Sequence, residues 1–132
     1  MREIKKALEK HLAALTPSLA TAYEALSFTP IPGTPYQRVQ ISTQRPENPT
    51  IGDDYYRDRG ELQVFLCYPS NKGTGDVLTR AELLREHFKR GTTLVEGGST
   101  VLITRTPQIA GSTIIGDRVI VPVLITYSVE KI

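Results

Sequence analysis

The sequence predicts an α+β domain, a mainly antiparallel sheet with two helices packed on one face. Three observations carry this. Apolar residues recur at helical spacing in two stretches, Ile4 to Leu15 and Val77 to Phe88. Other stretches alternate apolar and polar residues with the period of a strand, most clearly at 36–43, 60–68 and 118–129. The resulting order α, β, β, α, β, β, β puts strands next to one another in the chain, which favours antiparallel pairing with helices to one side.

In the first helix Ile4, Ala7, Leu8, Leu12 and Leu15 form one stripe, and Lys5, Lys6, Glu9 and Lys10 fill the other face; Pro17 stops it. Ala20 to Leu26 reads equally as a short strand or a helical turn. Pro30, Pro32, Gly33 and Pro35 make an irregular connection. Tyr36 to Thr43 is a strand with Val39 and Ile41 inward. Arg45 to Arg59 reads as a long polar loop. In the strand Gly60 to Tyr68, Leu62, Val64 and Leu66 share one face while Phe65 and Cys67 occupy the other, which predicts a central strand covered on both sides. Asp76 to Phe88 is the second helix, with Val77, Ala81, Leu84 and Phe88 inward and Gly91 as its C′ residue. Leu94, the Gly97–Gly98 pair, Val101 and Ile103 spell a hairpin. Pro107 to Gly116 reads as a second loop. Val119, Val121, Val123, Ile125 and Tyr127 alternate along the last strand, where Pro122 argues for an edge position or a bulge. The core is expected to hold Leu8, Leu12, Val64, Leu84, Val123 and Ile125.

Composition narrows the function classes. The 132 residues fit one domain, 1–132, able to bury roughly two-thirds of its unfolded surface. Sixteen basic against fourteen acidic residues leave a net charge of +2, far from the concentrated positive charge of a dedicated nucleic-acid binder. No segment approaches the roughly 20 apolar residues of a membrane span, and the first residues lack the apolar run of a signal peptide. The single cysteine, Cys67, cannot form an internal disulfide or a multi-cysteine metal site, and its place within a strand predicts a buried thiol.

No residue pattern carries a catalytic signature. His11 and His87 have no partner at metal-ligand spacing and read as structural or surface residues; Cys67 with His87 is the one imaginable thiol–imidazole pair. Gly73-Thr74-Gly75 before a helix lacks the lysine and the spacing of a phosphate-binding loop. Arg80, Arg85, Lys89 and Arg90 are diluted by Glu82 and Glu86 and read as a solvated helix face. Asp53, Asp54 and Asp58 with Glu47 and Glu61 could hold a divalent cation, but Arg45, Arg57 and Arg59 are interleaved with them, which is the pattern of local ion pairs. Tyr55 and Tyr56 turn the same loop toward protein contact, since Tyr and Arg combine contact area with hydrogen-bonding ends. The candidate interface is therefore Arg45, Glu47, Asp53, Asp54, Tyr55, Tyr56, Arg57 and Arg59, with no catalytic, cofactor or metal residue assigned.

The segments FTPIPGTPYQRVQI, RPENPTIGDDYYRDRGELQVFLCYP, DVLTRAELLREHF, TLVEGGSTVLITRTPQI and RVIVPVLITYSV, behind a short amphipathic helix, together resemble the phage tail terminator-like, or tail completion, proteins. The resemblance covers nearly the whole chain. Its most specific part is P-x-N-P-T-x-G followed by Y-R-x-R-G-x-x-Q-V and Y-P. It implies a structural protein without enzymatic activity or cofactor, located in the virion tail and in the host cytoplasm during assembly. It also implies a ring, usually hexameric, on the tail tube that ends elongation and offers a surface for head joining. The implied partners are further copies of the chain, the tail tube protein and a head–tail connector protein, with neither membrane nor specific nucleic-acid binding. With no long apolar stripe left for an obligate interface, an isolated monomer or weak oligomer is expected. The competing readings are a connector or other neck protein, a small metal-dependent hydrolase using the acidic loop, and a host-encoded binding module.

Overall fold

The computed structural model describes residues 2–48 and 56–131. Two helices, α1 (Arg2–Ala13) and α2 (Gly75–His87), accompany a large mixed sheet. Its strands are β1 (Ala20–Ala22), β2 (Tyr36–Thr43), β3 (Tyr56–Pro69), β4 (Thr93–Glu96), β5 (Ser99–Ile103), β6 (Gln108–Ile109), β7 (Thr113–Ile115) and β8 (Arg118–Lys131). The order across the sheet is β1-β2-β3-β8-β5-β4, with β6 and β7 also pairing with β8. β1 runs parallel to β2, and residues 23–35 make the connection that parallel neighbours require. The other strand pairs are antiparallel.

Register follows from side-chain parity. Val64 lies between Val39 and Val123, and Leu62 between Ile41 and Ile125. These side chains join Ile4, Leu8 and Leu12 of α1 and Val77, Ala81 and Leu84 of α2 in a single apolar cluster. All six expected core residues are in it, each no more than 1% exposed. Burying each such side chain contributes about 1.5–3 kcal/mol, which is why the apolar period dictates the register. On the opposite parity Gln63 and Phe65 are only half-buried, and the Arg38 guanidinium lies 5.7 Å from the Phe65 ring centre. β3 is thus central but fully covered on that side only at Cys67, whose thiol donates to the Phe65 carbonyl.

The chain departs from the sequence reading in several places. Ala20–Ala22 takes the strand alternative. β3 begins at Tyr56, four residues before Gly60, because β8 extends to Lys131 and supplies a partner for each of them. Part of the supposed loop 45–59 is therefore strand. The supposed loop 107–116 contains β6 and β7, which continue the line of β5 along β8. α2 has Phe88 as its C-cap, so the C′ position is Lys89, and Gly91 (φ 93°) serves the turn into β4.

Pro122 sits in the central strand β8, neither at an edge nor bulged toward β3, where it faces Phe65 in regular register. In an antiparallel strand the N–H and C=O of one residue point to the same neighbour. The Pro122 carbonyl accepts from Ala110, so its missing N–H faces the break between β6 and β7. The proline is tolerated because the line of strands on that side is interrupted there.

Two polar devices fix the periphery. Arg118, buried at the start of β8, donates to the carbonyls of Ile31 and Thr34 and lies 5.1 Å from the Tyr36 ring centre, tying the Pro-rich connection to the sheet. At the C-terminal ends of both helices, the rings of His11 and His87 stack at 3.9 Å with 8° between their planes. His11 Nε2 bonds the His87 carbonyl at 2.8 Å, and His87 Nε2 bonds the His11 carbonyl. The acceptors being carbonyls, both Nε2 atoms must carry hydrogen. Each imidazole thus caps the other helix. Burial holds His11 below the ordinary histidine range; the bond to the His87 carbonyl opposes this, and the neighbouring His87 reinforces it.

Gly60 is required by a close approach. A Cβ there would lie 2.3 Å from the Ser42 carbonyl oxygen and 2.5 Å from the Tyr127 hydroxyl. Gly60→Ala is expected to cost about 1–3 kcal/mol in denaturant unfolding. The histidine clasp predicts a pH effect. A histidine depressed in the fold leaves stability intact above its unfolded value near 6.5, and stability falls as pH drops below that, because the unfolded chain then binds the extra proton. Between pH 7.5 and 5.5 the Tm is expected to fall more for the parent than for His11→Gln, which keeps a donor and does not titrate.

Candidate assembly interface

Of the residues proposed from sequence, Glu47, Tyr56, Arg57 and Arg59 lie on a ribbon built by the outer ends of β2, β3 and β8. β2 and β3 pair to Thr43↔Gly60, and the Gln44 amide then donates to the Arg59 carbonyl. Beyond this, Glu47 and Arg57 exchange two backbone hydrogen bonds of 2.8 Å each. β8 flanks the other side, pairing Arg57 with Glu130 and Tyr56 with Lys131.

Side chains follow the same geometry. Glu47 is shared between Arg57 (3.6 Å) and Arg59 (3.2 Å). Arg57 also reaches Glu130 at 2.9 Å. Arg45 is exposed, and Tyr56 is 37% exposed. Asp53, Asp54 and Tyr55 lie outside the described residues. The structure therefore brings Glu47, Arg57 and Arg59 together, with Glu130 as a member that sequence spacing could not supply. Asp58 turns the other way, and its charge adds to the burial that pushes the Tyr127 phenol up. Exposed ion pairs of this kind contribute at most about 1 kcal/mol each, so their main effect is to orient the ribbon.

A second surface was not foreseen. At the other end of β3 and β8, Ile115 pairs with Arg118, which in turn holds Ile31. Ile31, Ile114 and Ile115 are 66%, 70% and 60% exposed, an apolar corner, whereas none of the other described isoleucines is exposed. The signal for it was the run Thr113–Ile115 before Gly116 and Asp117, a two-residue hairpin connection into β8. Along β3 ten residues lead from Arg59 of the ribbon to Pro69, opposite Arg118 of this corner, roughly 33 Å.

The thiol–imidazole pairing does not form: Cys67 bonds the Phe65 carbonyl, whereas His87 stacks on His11. Burial pushes the Cys67 thiol up, away from the thiolate a nucleophile needs. Among the described residues, no group of three or more His, Cys, Asp or Glu side chains is placed to hold a metal ion, and no helix is long and apolar enough to cross a membrane.

Because Glu47 is held by its backbone, Glu47→Gln is expected to remove both ion pairs yet cost no more than about 1 kcal/mol in denaturant unfolding. The amides of Glu47 and Arg57 are expected to stay protected in hydrogen exchange, and loss of that protection would show that the side chain holds the ribbon.

One solved structure, 23% identical, superposes with a TM-score of 0.77 over 97% of this chain and 91% of its own, which establishes a shared fold. No curated protein sequence matches significantly. The family model described as phage tail terminator protein matches residues 3–127. On that match, spanning both helices and nearly the whole sheet, the chain belongs to the phage tail terminator family and is a structural protein of the bacteriophage tail.

Proposed function

We propose that the protein closes the end of the tail tube as a ring of identical copies, six in number, stopping elongation and presenting the surface to which the head is joined. The observation that carries this reading is the family match over residues 3–127. The surface layout supports it. A ring is built from head-to-tail contacts, which need two different patches on each subunit. The ion-paired ribbon with Tyr56 and the apolar corner of Ile31, Ile114 and Ile115 are two such patches at opposite ends of the same strands. Neither is large, so the isolated protein is a monomer or weak oligomer, and the tube organises the ring. Its partners are then further copies of itself, the tail tube protein and the head–tail connector, and the protein resides in the virion tail.

The ribbon supplies contact through Tyr56, Arg57 and Arg59. Removing an interface Tyr or Arg commonly costs on the order of 2 kcal/mol when it is a hot spot, and in a closed ring the loss recurs at every contact. Tyr56→Ala combined with Arg57→Ala, shown by circular dichroism to be folded, is expected to fail to cap tubes in an assembly or complementation assay, leaving overlong tails. A folded double variant that caps as well as the parent removes the ribbon from the interface.

A further inference from the structure

The turn after α2 and the segment after β5 border an open surface pocket of about 410 Å³, lined by Arg90, Thr104, Arg105 and Thr106. No acidic side chain lines it. Arg90 and Arg105 are both exposed and come from different segments, so only the fold brings their charges to one place.

Backbone hydrogen bonds hold the two sides of the pocket together. The Gly91 amide donates to the Ile103 carbonyl at 2.8 Å, and the Ile103 amide to the Thr92 carbonyl at 2.9 Å. The Thr104 amide donates to the Thr126 carbonyl of β8 at 3.1 Å, and Arg85 Nε of α2 donates to the Pro107 carbonyl at 3.1 Å. The main chain carrying both arginines is thus tied to the sheet and to α2, and only side-chain rotation can draw the charges apart. Elsewhere on the surface Lys5, Lys6, Lys10, Arg57 and Arg59 each lie within 4.0 Å of a carboxylate. Arg90 and Arg105 form no such pair among the described residues. A cation after a helix C-terminus is ordinarily explained by the helix dipole. That accounts for Arg90 and not for Arg105, which arrives from β5.

The donors define the anion that fits. A guanidinium presents a planar fork that takes two oxygens at once. A carboxylate has two oxygens and is used up by one fork. A phosphate group has oxygens enough for both forks and for the Thr106 hydroxyl, which no group among the described residues engages. The Thr104 hydroxyl is turned to the Thr126 carbonyl at 3.5 Å. We propose that this pocket binds a phosphate group between Arg90 and Arg105, a property independent of the ring reading.

The test is titration of the isotope-labelled protein at constant ionic strength, followed by NMR. Inorganic phosphate is expected to shift the amides of Gly91, Arg105 and Thr106 saturably, and acetate is not. Arg90→Gln with Arg105→Gln is expected to weaken phosphate binding about tenfold or more, with the spectrum unchanged away from the pocket. Arg105→Lys, which keeps the charge and loses the fork, is expected to weaken it as well. Lys89→Gln removes a neighbouring charge outside the pocket and is expected to leave the affinity within about twofold. Duplex DNA without terminal phosphates identifies the source: shifts of the same amides show that phosphodiesters enter, whereas shifts with inorganic phosphate alone restrict the site to free phosphate or a monoester. Saturable shifts with neither, equal shifts with acetate, or equal weakening in Lys89→Gln and the double variant would each overturn the proposal.

Discussion

The pairing of β3 with β8 is the constraint on which the remaining structure depends. It runs without a break from Tyr56↔Lys131 to Pro69↔Arg118. Every other feature is attached to it. β2 and β1 extend the sheet from β3; β5, β6, β7 and β4 extend it from β8. Apolar side chains of both helices join Leu62, Val64, Leu66, Val121, Val123 and Ile125 in one cluster. One end of the pair forms the ribbon and the other carries the apolar corner, so both candidate contact surfaces are set by how far these two strands run.

Much of this was legible in the sequence, because burial drives periodicity. The stripe of α1, the alternation of β2 and the twin alternations of β3 and β8 named the core residues correctly. The hairpin at Gly97–Gly98 was equally plain, since both glycines take positive φ there. What escaped is what a neighbour decides. Tyr56, Arg57 and Arg59 are polar and carry no strand period worth reading; they are strand only because β8 lies alongside. Thr113–Ile115 is too short to announce itself and is a strand through its partner Arg118–Ile120. Pro122 argued against a central strand, and only the break in the adjoining strands explains why it is accepted.

The candidate interface was half legible. Interleaved Arg and Glu pointed to ion pairs, and Glu47 with Arg57 and Arg59 forms them. Glu130, far away in sequence, could not have been named. His11 and His87 were read as structural or surface residues; they take the structural alternative, but their mutual capping across two helices leaves no trace in spacing. The same holds for Arg80, which sat in a helix read as a solvated basic face and instead turns inward to the Pro17 carbonyl.

The position of β8 has a consequence for biosynthesis. It is the last described element in the chain, yet it lies in the middle of the sheet, between β3 and β5. Until residues 118–131 have left the ribosome, β3 and the β4–β5 hairpin have no common partner, and the two helices have only part of a floor to pack on. Non-local pairing of this kind is slow, because chain entropy is lost before contacts repay it. Residues emerge in order, and a domain completes as a unit. A nascent or prematurely ended chain therefore exposes unpaired strand edges instead of a finished surface.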